Sequence, residues 1–120
     1  MWKRNFTVFA VCIVTLLGVV GCYNEEDVVA ENEAIASSII VAIEFYEQTY
    51  GAYPNTLDEL SPEFLDQIPL TVDGYEFDYR PYPSFGYDLG FGLRNIFGGT
   101  YTGCGYLPEY KVWECGSGVE

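Results

Sequence analysis

"AIEFYEQTYGAYPNTLDEL" (residues 42–60) carries an apolar-periodic stretch into an abrupt stop. Around it, Val28, Ile35, Ile39, Ala42, Ile43, Tyr46 and Tyr50 recur at three- and four-residue steps, the stripe of an amphipathic helix. Glu31, Glu33, Glu44 and Glu47 fall largely off that stripe. The spacing predicts a helix over about 24–50, with Asn24 as cap and Glu25, Glu26 and Asp27 at the positive end of its dipole. Gly51 stands where a left-handed residue ends a helix, because glycine has no Cβ to clash. Pro54 cannot continue a helix and pushes Tyr53 toward extended backbone. Thr56 and Glu59 have the spacing of a capping box, and Ser61-Pro62-Glu63 reads as a second helical start. Leu57, Leu60, Phe64, Leu65 and Ile68 give this connector one apolar side. A helix so striped cannot bury its face alone; it needs a sheet or a partner.

Downstream the period changes from helical to alternating. Asp73-Gly74 signals a turn, and Tyr75 to Arg80 alternates aromatic with charged residues. Residues 81–84 (PYPS) read as a loop, and Tyr87 to Phe91 alternates again. The two runs are expected to pair antiparallel, aromatic side chains on one face and charges on the other. Residues 92–108 are glycine-rich and read as irregular. Tyr110 to Cys115 is expected as a final strand with Trp113 and Cys115 on one face. The class implied is α+β, a long N-terminal helix packed on a small antiparallel sheet.

The N-terminus reads differently. In "MWKRNFTVFAVCIVTLLGVVGC" (1–22), Lys3 and Arg4 precede an uncharged run from Phe6 to Val20, the layout of a secretory signal. That run is short of the roughly 20 residues that span a bilayer comfortably. Val19-Val20-Gly21-Cys22 resembles the lipobox of bacterial lipoproteins. The resemblance implies cleavage between Gly21 and Cys22, a diacylglyceryl thioether on Cys22, and a further acyl chain such as palmitate on its new amino group. Residues 1–21 would then be signal, and 22–120 one domain held to the cell envelope by lipid. Tyr23, rather than aspartate, after the lipidated cysteine implies the periplasmic side of the outer membrane in a Gram-negative host.

Cysteine usage agrees with export. Cys12 falls in the signal and Cys22 is taken by lipid, leaving Cys104 and Cys115 as a pair expected to oxidise. The chain has no histidine and no CxxC spacing, so neither a zinc site nor any other metal or cofactor is expected.

From Cys22 onward, 18 acids face three bases (Arg80, Arg94, Lys111), a net charge of −15. Such a surface does not neutralise phosphates, which excludes nucleic-acid partners, and it disfavours anionic headgroups, leaving the anchoring to lipid chains. All 11 tyrosines lie in this part and mark a folded domain. Lacking histidine, the chain lacks the commonest acid–base catalyst; it also has no Ser-x-x-Lys and no glycine-rich phosphate loop with a lysine. It is expected not to be an enzyme.

The order of these pieces resembles the globular part of type IV pilin-like proteins, including the pseudopilins of type II secretion. The matching segments are "AIEFYEQTYGAYPNTLDEL", "GYEFDY", "YDLGF" and the terminal cysteine pair with "WEC", spanning roughly residues 35–115. The resemblance implies a long helix on an antiparallel sheet, a disulfide-closed C-terminal region and a role in protein–protein interaction rather than catalysis. A pilin subunit would instead retain residues 6–20 as a transmembrane helix and join a secretion or pilus filament; there Phe6-Thr7 echoes the processed start, while Ala10 stands in place of the glutamate. The calcium loop of major pseudopilins is not carried over, since residues 90–108 contain no acid. A further alternative is binding of glycans or small ligands through exposed aromatics, with Tyr82, Phe85, Tyr101 and Tyr106 as candidates.

Overall fold

The computed structural model describes residues 24–94 and 101–118. The signal segment, Gly21 and Cys22 lie outside the described residues.

Helix α1 (Glu25–Tyr50) starts at Asn24, whose extended backbone (φ −100°, ψ 146°) leads into the first turn. Asn24 caps through its main chain: its carbonyl accepts the N–H groups of Asp27 (3.1 Å) and Val28 (3.3 Å), and its side chain makes no cap bond. At the other end Gly51 is left-handed (φ 76°, ψ 7°) and donates to the Glu47 carbonyl at 2.7 Å. The buried face comprises Val28, Asn32, Ala36, Ile39, Ala42 and Ile43. Tyr50, placed on the apolar stripe by spacing, is exposed; its ring packs on Tyr46 (4.7 Å between centroids) and its hydroxyl donates to Glu63 at 2.6 Å.

The connector is ordered by its own polar groups. A 3-10 turn (Leu57–Leu60) follows Thr56, and the Glu59 carboxylate reaches back to the N–H groups of Asn55 and Thr56. The expected helical start at Ser61 is instead a hydrogen-bonded turn. Phe64 and Leu65 both donate to the Leu60 carbonyl, and the Ser61 hydroxyl donates to Asp66 O (2.9 Å) rather than capping a helix. Leu60 is fully buried, with Leu57, Phe64, Leu65 and Ile68 packed around the same core.

Four antiparallel strands follow in simple meander order: β1 (Asp78–Tyr82), β2 (Gly86–Arg94), β3 (Tyr101–Leu107) and β4 (Val112–Gly118). Boundaries differ from the alternation read in the sequence: β2 runs on past Phe91 to Arg94 and β4 past Cys115 to Gly118. β1 begins at Asp78, not Tyr75, because residues 71–75 close a turn of their own. The Thr71 N–H donates to the Tyr75 carbonyl, Gly74 (φ 85°) donates to the Thr71 carbonyl, and the Thr71 hydroxyl accepts the Tyr75 N–H. Pro81 and Tyr82 belong to β1 rather than to a loop. Proline is tolerated because β1 is an edge strand and the missing N–H costs no ladder bond on its open side. The final strand begins at Val112, because Tyr110 and Lys111 turn the chain, both donating to the Leu107 carbonyl, with Lys111 at φ 56°.

The larger difference is β3, an inner strand where an irregular segment was expected. Its glycines hide the alternation. In the register Leu89↔Tyr106, Phe91↔Cys104 and Leu93↔Thr102, every second residue faces the helix. Gly103 and Gly105 alternate with these and share the opposite face with Gly90, Gly92 and Gly116. At Gly90 the strands approach so closely that a Cβ would lie 2.8 Å from the Cys104 carbonyl oxygen, so glycine is required there.

The core lies between α1 and the inner sheet face, where Ala36, Ile39, Ala42 and Ile43 meet Phe77, Tyr87, Leu89, Phe91 and Cys104. Asp78, Arg80 and Asp88 sit on the outer face, giving the aromatic-in, charge-out division. Cys104 and Cys115 are register partners and form a disulfide with Cα atoms 4.1 Å apart. Asn32 is the polar exception on α1. It is fully buried, its Oδ1 accepts the Val72 N–H at 2.8 Å, and its Nδ2 has no partner among the described residues.

Candidate interaction groove

The end of α1, the Tyr53 segment and two hairpin turns converge on a groove of about 660 Å³. Each wall has a local cause. Gly51 ends the helix, so Tyr53 turns back under it, and its ring meets Tyr87 edge-on at 5.2 Å. The β1–β2 turn closes with Phe85 N–H on the Tyr82 carbonyl (3.1 Å) and Gly86 at φ 113°, which leaves Phe85 at the tip, 90% exposed. The β3–β4 turn brings Pro108, Glu109 and Lys111 to the other side. From the helix come Ile40, Val41, Glu44, Phe45 and Gln48, and Tyr106 contributes from β3.

Tyr53 and Tyr106, which line the groove, continue into a chain of rings behind it: Tyr53 on Tyr87, Tyr87 on Tyr106 (6.4 Å), and Tyr106 on Trp113 (5.4 Å). Burial, and after it the nearby Glu44 carboxylate, holds the Tyr87 and Tyr106 phenols above their ordinary range. Tyr53 is raised by burial, then by Glu44 and Glu47. These phenols therefore stay protonated and act as donors, as Tyr87 does toward Glu44 Oε1 at 3.3 Å. The groove thus combines apolar side chains held out in water with a few fixed polar groups, which suits seating an apolar side chain of a partner. Among the described residues no group of three or more His, Cys, Asp or Glu is placed to hold a metal ion.

The candidate aromatics divide. Phe85 and Tyr106 come together in this groove. Tyr82 lies on the outer sheet face, where its hydroxyl donates to Asp88 at 2.9 Å, and the Tyr101 side chain lies outside the described residues. Gly51 and Pro54 act behind the groove, shaping its Tyr53 wall, and the Cys104–Cys115 bridge joins β3 to β4 on the inner face of the sheet. The sequence reading missed Val41 and Phe45, both 54% exposed. Their signal was present: two large apolar residues four apart, off the main stripe, form a second small helix face.

Among the described residues no helix is long and apolar enough to cross a membrane. Comparison of the chain with protein-family models, with curated proteins and with solved structures yields no match. The lipoprotein and pilin-like readings therefore rest on the chain's own residues.

Proposed function

We propose that this chain is a non-catalytic, lipid-anchored protein of the cell envelope that presents a pilin-like domain to a protein partner. The observation that carries it is the groove, whose mouth is formed by Val41, Phe45 and Phe85 from two different elements, all half-exposed or more. Apolar groups held in water by rigid elements are the usual mark of a contact surface. The anchor reading draws on the Val19-Val20-Gly21-Cys22 segment behind an apolar run, with α1 starting only three residues after Cys22. The pilin-like reading draws on the α+β layout, one long helix over an antiparallel meander with a disulfide across its last two strands.

Intact mass of the protein extracted from native membranes tests the anchor. The expected species is 99 residues plus three acyl chains, and Cys22→Ala should leave an unlipidated, mislocalised precursor. A near-full-length mass without lipid would favour the filament-subunit reading instead. For the groove, a photo-crosslinker at position 85 should give a discrete protein adduct that Phe45→Ser abolishes. An adduct indifferent to Phe45→Ser would sink the groove as the contact site.

A further inference from the structure

We propose that the open edge of β4 takes up an extended, basic segment of another protein as a fifth strand. β4 pairs only with β3, so its other side has no strand neighbour among the described residues. The register shows which groups are offered. Cys104 and Cys115 have Cα atoms 4.1 Å apart, the narrow spacing of a non-hydrogen-bonded antiparallel pair. The N–H and C=O groups of Cys115, and by alternation those of Trp113 and Ser117, therefore point away from β3 toward the open side.

Sheet edges are ordinarily guarded by proline, lysine, bulges or brevity. β1, at the opposite edge, has Pro81 together with Asp78 and Arg80. β4 is seven residues long, contains neither proline nor lysine, and has Glu114 as its single ionisable side chain. Val112 and residues 114–117 are exposed. Such an edge ordinarily invites self-pairing, but the charge of this chain supplies a guard elsewhere: 18 acids against five bases repel a second copy. The Thr102 hydroxyl donates to Glu25 at 2.8 Å, placing the start of α1 beside Ser117, the register partner of Thr102. The acids of that first turn, Glu25, Glu26 and Asp27, therefore lie toward the Ser117 end of the edge. The same negative charge attracts a basic segment, whose main chain would bond to Trp113, Cys115 and Ser117 while its side chains alternate between the two faces. The choice of partner deepens the interaction-protein reading, but edge and groove use different residues and can fail separately.

The test uses the full chain in detergent and a synthetic ten-residue peptide of alternating valine and lysine, with a valine–glutamate peptide as control. Hydrogen exchange should show the lysine peptide protecting the amides of Trp113, Cys115 and Ser117, with binding weakened by salt and absent for the glutamate peptide. Ser117→Pro removes one outward donor without touching the β3 ladder and should weaken binding about tenfold, the loss of one main-chain hydrogen bond. Ser117→Lys, which keeps the N–H but adds a like charge, covers the case in which the proline variant does not fold, and should also weaken binding. Absence of protection at these three amides, or binding that both variants leave unchanged, would overturn the proposal. Protection that rises with protein concentration in the absence of peptide would also overturn it, by making the occupant a second copy.

Discussion

The phenol of Tyr79, on β1, donates a 2.7 Å hydrogen bond to the carbonyl oxygen of Pro54, just past the end of α1. It ties the helix stop to the sheet across 25 residues of chain. Pro54 is fully buried, so this carbonyl has been withdrawn from water and depends on its donor. Burial, with a smaller contribution from Glu59, raises the Tyr79 phenol and keeps it in the donating form.

Tyr79→Phe keeps the ring and removes the donor. The expected loss is about 1–3 kcal/mol, the cost of leaving a buried carbonyl unpaired. Urea melts of wild type and variant measure it. Equal midpoints would show that the Pro54 carbonyl finds another partner at little cost.

The Gly51 prediction isolates backbone conformation. A Cβ at Gly51 meets no atom within 4 Å, so any penalty comes from its left-handed φ of 76° and not from a clash. Gly51→Val should therefore destabilise the domain by about 1–2 kcal/mol. Pro54→Ala should cost less, acting chiefly through a looser unfolded chain. The same melts rank the two. A Gly51→Val variant as stable as wild type would place the stop elsewhere.

Alkaline pH probes the phenols beneath the groove. Tyr87 is held above the ordinary value of about 10, first by burial and then by Glu44. Below pH 10 folded and unfolded chains hold the same phenolic protons, and stability does not change on this account. Above pH 10 the unfolded chain releases protons that the folded chain keeps, so stability falls as pH rises toward the folded value. The slope from Tyr87 is at most about 1.4 kcal/mol per pH unit, and solvent screening reduces the part from the less buried Tyr79. Tyr87→Phe should flatten the decline between pH 10 and 12. An unchanged slope would remove Tyr87 as its source.

Reduction of the disulfide should weaken the domain without dissolving its sheet. Cys104 and Cys115 close an 11-residue separation, and a bridge of this span contributes about 2–4 kcal/mol. Thermal melts with and without reductant should differ by several degrees, and non-reducing peptide mapping should join the two cysteines within one chain. A free thiol at either position would sink the structural role.

What the sequence by itself determined is local. The ends of α1 follow from short-range sterics and dipoles: acids after Asn24, glycine at 51 where φ turns positive, and proline at 54. The Glu59 cap is likewise a matter of spacing within one turn. The pairing of Cys104 with Cys115 was expected on the reading of the chain as exported, and the structure forms that disulfide. What only the tertiary structure decided is long-range. β3 was not legible because glycine carries no hydropathy signal, and glycines at alternate positions of β2, β3 and β4 erase one half of the alternation. Asn32, polar on an apolar face, takes its place from the Val72 N–H forty residues away, which no helical spacing announces. The groove exists only because Phe85, Val41 and Tyr106, far apart in the chain, are brought together when the stripe of α1 buries itself on the sheet. Local conformation depends on neighbours along the chain, whereas the site depends on which surfaces that burial leaves facing water.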